Sequence, residues 1–365
     1  MKKKLWLKIL IPVLITILLL LFVQALLMPK YMTETKEGAM ISEYYEKTNH
    51  GNNDVVFVGD CEVYENFSPV TMWNNYGVTS YIRGSAQQLI WQTYYLMKET
   101  YKYETPKVMI FNVLEMIYDT PESTGDSEKR EAYNRMTLDG MKWSSMKWNS
   151  IKASMTKQEK ETDGYWSYIL PILRYHDRWT EVSAEDFRYL FHRDAVTDNG
   201  YLMQVKVNPV LGEFNKRPLV DYSFGDNSWK YLDMIRDLCK EHGTQLVLIK
   251  APSLSPVWYD EWEEQIEQYA AENDLLYINF LEKQEEIGID WNQDTYDRGL
   301  HLNVYGAEKL SDYFGRILVE ECGIEDRRND PALSSIWEDK TKAYDARKDQ
   351  LLKEYQKELE LNSEE

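Results

Sequence analysis

Apolar and polar positions along the chain fall into blocks of distinct period. Residues 9–28 (ILIPVLITILLLLFVQALLM) are almost unbroken apolar sequence, with Gln24 the one polar side chain of weight. Twenty residues at ~1.5 Å rise cover ~30 Å, the hydrocarbon thickness of a bilayer, so this run predicts a spanning helix. Residues 29–53 are polar and read as a stalk. Residues 54–59 (DVVFVG) form a short β-branched apolar run ending in glycine, the pattern of a buried strand, and residues 78–82 are a weaker strand candidate. Residues 87–103 place Ile90, Tyr94, Met97 and Tyr101 at helical spacing. After Pro106, residues 107–114 (KVMIFNVL) predict another buried strand.

A second block begins at Asn227, a capping residue for a helix whose Leu232, Ile235, Cys239 and His242 share one face before Gly243 stops it. Residues 244–249 predict a strand, 261–273 a helix and 275–280 a strand. A last helix follows Gly306 with Leu310, Phe314, Ile317 and Leu318 inward. Strand–helix alternation at this spacing predicts a three-layer α/β domain over residues 54–325, a parallel sheet of flavodoxin-like type with helices on both sides. Residues 118–226 interrupt it, rich in Trp, Tyr and Met. A structureless loop of that length does not fit a compact domain, so this insertion is expected to be largely helical and to cap the carboxyl edge of the sheet. Its Trp143, Trp148, Trp166 and Trp179 suit either sugar stacking or the core of a small helical subdomain. Its Arg174, His176 and Arg178 suit either an anionic polymer or pairing with nearby acids. Residues 326–365 read as an exposed, charged helical tail.

Charge sharpens the topology. Residues 1–28 hold Lys2, Lys3, Lys4 and Lys8 and no acid, so of the net −19 the remaining 337 residues carry −23. Lysines ahead of the span keep the N-terminus cytoplasmic and place the rest outside the cell membrane. The run ends without a small-x-small cleavage site, which favours an uncleaved single-pass anchor over a signal peptide. A body this acidic is a poor binder of nucleic acid. Three cysteines exclude a disulfide-stapled scaffold, although Cys239 and Cys322 leave one disulfide open. Neither a metal signature nor a nucleotide-binding glycine fingerprint occurs, so no metal and no cofactor are expected.

In open parallel sheets ligands bind beyond the carboxyl ends of the strands. There the chain offers Gly59-Asp60-Cys61, then Arg83-Gly84, then Asn112, then Lys250, and finally Asp297-Arg298-Gly299-Leu300-His301. A thiol, a close backbone N–H, a side-chain amide and an imidazole form the set that acyl transfer needs. Arg83 and Lys250 are candidate substrate-binding cations.

The ordered motifs FVGDCEVYENFSP, YIRGSAQQ, MIFNVLEM and DRGLHLNVYGAEKLSDYF resemble those of the SGNH/GDSL hydrolase superfamily. With the anchor, they look most like its membrane-tethered branch, which includes the teichoic-acid D-alanyl-transfer protein and the polysaccharide O-acetyltransferases. The resemblance implies Cys61 as nucleophile in place of serine, His301 as base, Asp297 as its orienting acid, and Gly84 and Asn112 in the oxyanion hole. The D-x-x-x-H spacing is one residue longer than the family's, which leaves Asp294 open as the orienting acid. By the same resemblance the activity would be that of an esterase or O-acyltransferase on cell-envelope glycans, supplied by a polytopic membrane acyltransferase. A catalytically silent, glycan-binding or scaffold protein of the same fold is the alternative, motivated by the cysteine and the stretched spacing.

Overall fold

A computed structural model describes residues 2–29, 38–193, 195–212, 214 and 216–364; residues 30–37 of the expected stalk lie outside the described residues. The elements run α1 (Lys2–Leu27), α2 (Ala39–Glu43), β1 (Val55–Gly59), α3 (Cys61–Tyr64), α4 (Pro69–Tyr76), β2 (Ser80–Gly84), α5 (Ile90–Thr100) and β3 (Val108–Asn112). The insertion then supplies α6 (Ser127–Leu138), α7 (Ser145–Ser154), α8 (Lys157–Glu161), α9 (Trp166–Ile169), α10 (Ile172–Tyr175) and α11 (Ala184–Tyr189). The second block is α12 (Asp226–His242), β4 (Gln245–Lys250), α13 (Asp260–Glu272), β5 (Leu276–Asn279), α14 (Gln284–Ile287), α15 (Val304–Glu320) and α16 (Pro331–Glu364).

The five strands are parallel in the order β2-β1-β3-β4-β5, the flavodoxin-like order, with helices on both faces. Alternation along each strand divides two cores. Val55, Phe57, Ile110 and Ile249 face Phe67, Phe314 and Leu310, whereas Val56, Val58, Phe111 and Leu248 face Trp91, Ile235 and Ile266. Cys239 packs in the second core and Cys322 against the first, and all three cysteines are free, so the open disulfide is not formed. Gly59 pairs with Gly84 and Asn112 with Ile249, which brings the strand ends to one edge.

Several elements differ from expectation. Residues 38–53 belong to the body and not to a stalk, because Ala39, Ile41 and Tyr44 are fully buried and the Glu43 carboxylate accepts from Val196 and Thr197. Asn227 does not cap α12; its N–H and that of Ser228 donate to Asp119 Oδ1 at 2.7 and 3.0 Å. The last core helix starts before Gly306, where Asn303 Oδ1 accepts from Tyr305 and Gly306. The charged tail is not wholly exposed: Leu333, Trp337 and Tyr344 of α16 are buried, and Trp337 stacks on Trp73 at 5.1 Å between ring centroids. Finally, among the described residues the insertion is helical only as far as α11. Residues 196–205 then run as a non-helical strap across β2 and α3, with Ile82 N donating to Asn199 O at 2.9 Å and Leu202 N to Tyr64 O at 2.8 Å. The strap needs Gly200, whose φ is +88° and where a Cβ would lie 2.0 Å from Ile82 O.

Candidate active site

The site starts at the end of β1. A Cβ at Gly59 would lie 2.4 Å from Val63 Cγ2, so glycine is what lets α3 turn back over the strand. Asp60 caps that turn, its Oδ1 accepting from Glu62 N at 3.1 Å. Cys61 is the first residue inside α3 and is half-buried, between fully buried neighbours.

His301 arrives from the loop between β5 and α15, and that loop is held rigidly. Thr295 Oγ1 donates to His301 O at 2.8 Å and accepts from Gly299 N at 2.8 Å, while Leu302 N donates to Asn66 Oδ1 at 2.7 Å. Arg298 and Gly299 take positive φ values of 65° and 92°, which absorbs the extra residue of the D-x-x-x-H spacing. Asp297 therefore grips His301 twice, accepting from its backbone N–H at 2.8 Å and lying 2.7 Å from Nδ1. Asp294 does not reach the ring. It accepts from Lys309 Nζ at 2.6 Å and from Asp290 N at 2.7 Å.

Two residues that the sequence reading did not single out complete the surroundings of the imidazole. Glu65, one helical turn after Cys61, places Oε2 3.2 Å from Nδ1. Tyr296 donates its hydroxyl to Glu65 and lies nearly parallel to the ring, at 6.0 Å and 16°. The i, i+4 spacing of Cys61 and Glu65 was the available signal. Glu65, Asp297 and His301 each present a ligand-type atom within 4.8 Å of the others, though here both carboxylates are directed at the Nδ1 of the ring.

His301 Nε2 is buried and lacks a hydrogen-bond partner of ordinary geometry, yet the ring and the Cys61 sulfur are close enough to act on each other's protonation. Burial alone would lower the imidazole pKa. The hydrogen bond that the ring donates to Asp297, with Cys61 and Glu65 beside it, outweighs burial and lifts it to about 11. The Cys61 thiol also rises to about 11, mainly through burial and then through Asp60, against the opposing pull of His301. Asp60 itself is raised to about 7 by burial and by Glu62. Both shifts run upward, so the surroundings favour the protonated imidazole and the neutral thiol.

The other predicted residues are placed differently. Asn112 is fully buried, and Nδ2 donates to Asp60 Oδ1 at 3.2 Å and Glu62 Oε2 at 3.0 Å, so both amide protons face carboxylates instead of an oxyanion. Lys250 is a correction: its Nζ is fully buried on Glu62, at 3.0 Å, and on Ala251 O at 2.7 Å, out of a substrate's reach. Arg83 is another, buried among Glu99 at 2.7 Å, Leu96 O and Thr100, with its guanidinium 4.1 Å above the Tyr44 ring. Gly84 ends β2, where a Cβ would lie 2.9 Å from Gly59 O and 3.1 Å from the Tyr64 ring, so close packing demands glycine there. Leu254, whose N–H donates to Gly299 O, also lines a cavity of about 400 Å³ with Trp258 and Asn279 beyond β4 and β5.

No family model matches this chain, and no curated protein does. Among solved structures, a Bacteroides fragilis protein described by inference as an acylhydrolase shares 11% identity over 77% of this chain and 96% of its own, with a TM-score of 0.38. A GDSL-like lipase of Bacteroides thetaiotaomicron shares 12% over 76% and 97%, with a TM-score of 0.34. A likeness of this extent carries no activity across, so the chemistry rests on the residues themselves.

Proposed function

We propose that this chain is a membrane-tethered, SGNH-like acyl-handling enzyme with Cys61 as nucleophile. The reading is carried by one observation: Asp297 holds His301 through Nδ1 at 2.7 Å, which leaves Nε2 uncommitted in a ring close enough to the Cys61 thiol for each to act on the other's protonation. Once the imidazolium loses its proton, Nε2 takes the proton of Cys61. The sulfur attacks an ester carbonyl, and the leaving alkoxide departs with that proton as the alcohol. The thioester then passes its acyl group to water, or to a hydroxyl of an envelope glycan, and the proton released returns to the sulfur through His301. Backbone N–H groups of Cys61 and Gly84 are the proposed oxyanion donors; Asn112 is left out, its protons being engaged. Outward orientation, a glycan acceptor and a polytopic acyl supplier belong to the same proposal.

Aryl acetate turnover, with intact-mass detection of an acyl adduct, tests it. The wild-type chain should carry the adduct at Cys61, and Cys61→Ala and His301→Ala should lose both adduct and turnover. Undiminished turnover in Cys61→Ala rejects the thiol as nucleophile. A second reading, a catalytically silent scaffold, draws on the raised thiol pKa: burial and Asp60 disfavour the thiolate that catalysis needs. It expects no adduct at any pH.

A further inference from the structure

The insertion leaves large apolar side chains in the open. Trp143, Trp166, Trp179, Phe187 and Phe191 are 52, 48, 72, 47 and 89% exposed, so the first three do not form the core of a helical subdomain. They lie on the part of the molecule that meets the end of α1. That helix is exposed from Lys8 to Phe22 and becomes covered from Val23 onward. The cover is α10, the turn His176–Thr180 and α11, all packed against α1. Arg178 Nη1 donates to Leu27 O at 2.6 Å, closing one of the helix's terminal carbonyls with a cation. Gln24, the polar residue of the apolar run, shares a cavity with Pro171 and Trp143.

We infer that α9 to α11, with Trp143, form a second membrane contact that rests in the outer interface of the bilayer spanned by α1. This inference rests on reading α1 as a span. The covered stretch from Val23 to Met28 is six residues, ~9 Å of helix, so the insertion's helices sit ~9 Å inside the end of the apolar run. That depth is where interfacial helices bury their apolar faces and where Trp side chains collect. Residues 166–193 hold four arginines and four acids, so this segment is neutral in a chain of net charge −19. Adsorption through rings, and not attraction to anionic headgroups, is therefore the contact it is built for. Such a contact restrains the tilt of the acidic body on its anchor.

The test uses the full chain in phosphatidylcholine vesicles with the photo-crosslinker p-benzoylphenylalanine at position 179, 187 or 191. Position 18 in α1 is the positive control, and position 305 on α15, 40% exposed in the wild type, is the negative one. Lipid adducts are expected at 18, 179, 187 and 191, with loss of the signal at 305. Adducts at 18 alone overturn the inference and leave the anchor standing. So does crosslinking of 179, 187 and 191 in cells to a protein when pure vesicles yield no lipid adduct. Failure at 18 overturns the span, and the inference with it.

Discussion

At the scale of residues, the thiol of Cys61 is held in its neutral form by its neighbours. Burial raises it and Asp60 raises it further, and the opposing pull of His301 does not compensate. Alkylation of Cys61 by iodoacetamide should therefore climb from neutral pH toward about 11, without the plateau near pH 7 that a preformed thiolate would produce. At pH 8, where Asp60 is largely ionised, Asp60→Asn should quicken alkylation by about threefold, the equivalent of half a pK unit. Stability follows the same sign. The imidazole gains protons in the fold relative to its ordinary 6.5, so its contribution is complete below that pH and disappears as pH rises through about 11. Thermal melts should accordingly fall on the alkaline side, and less so in His301→Gln. Arg83 tests the reassignment of a predicted ligand as a structural cation. Arg83→Met strands the Glu99 carboxylate, 2% exposed, and should cost about 3–5 kcal/mol in urea melts. Cys61 and His301 stood out because each lies in a short local pattern, whereas the spacing left the acid open between Asp294 and Asp297, and the structure puts Asp297 on the ring. Arg83, Asn112 and Lys250 were misread because a strand-end position does not say which way a side chain turns. Their partners come from α5 and α3, elements that the chain order alone does not place against them.

At the scale of elements, α16 shows how a charged helix can be a core element. Leu333, Trp337 and Tyr344 recur at intervals of four and seven residues, and Leu351 and Tyr355 continue the stripe. Scattered among lysines and glutamates these positions read as incidental, although their period marks one helical face. They close the first core over α4, with Tyr344 Oη donating to Glu308 at 2.9 Å. Trp337→Ala removes a ring that is 3% exposed and stacked on Trp73, and should destabilise the domain by about 3–5 kcal/mol in a denaturant titration. An exposed tail would show almost no change. The strap of residues 196–205 was invisible for the opposite reason: it has no period, and its order comes from backbone bonds to β2 and α3. Strands β1, β3 and β4 were legible because strands buried on both faces are close to continuously apolar, whereas β2, interrupted by Arg83, gave the weaker signal.

At the scale of the whole molecule, an apolar helix and an acidic body divide the chain. If α1 remains attached and spans, the protein recovered from membranes should keep its full 43.3 kDa, resist carbonate extraction, and expose the body to protease added outside intact cells. A shortened, extractable product would mark the run as a cleaved signal. The sequence by itself determined the apolar run, the strand positions and the long helices between them, and brought a thiol and an imidazole to strand ends, because each of these is written in neighbouring residues. The tertiary structure decided which carboxylate reaches the ring, that Glu65 and Tyr296 join it, that Arg83, Asn112 and Lys250 are tied to buried partners, and that the insertion meets the end of α1. Those are matters of how a loop folds back on itself and of distance between residues far apart in the chain, and only the packed structure sets such distances.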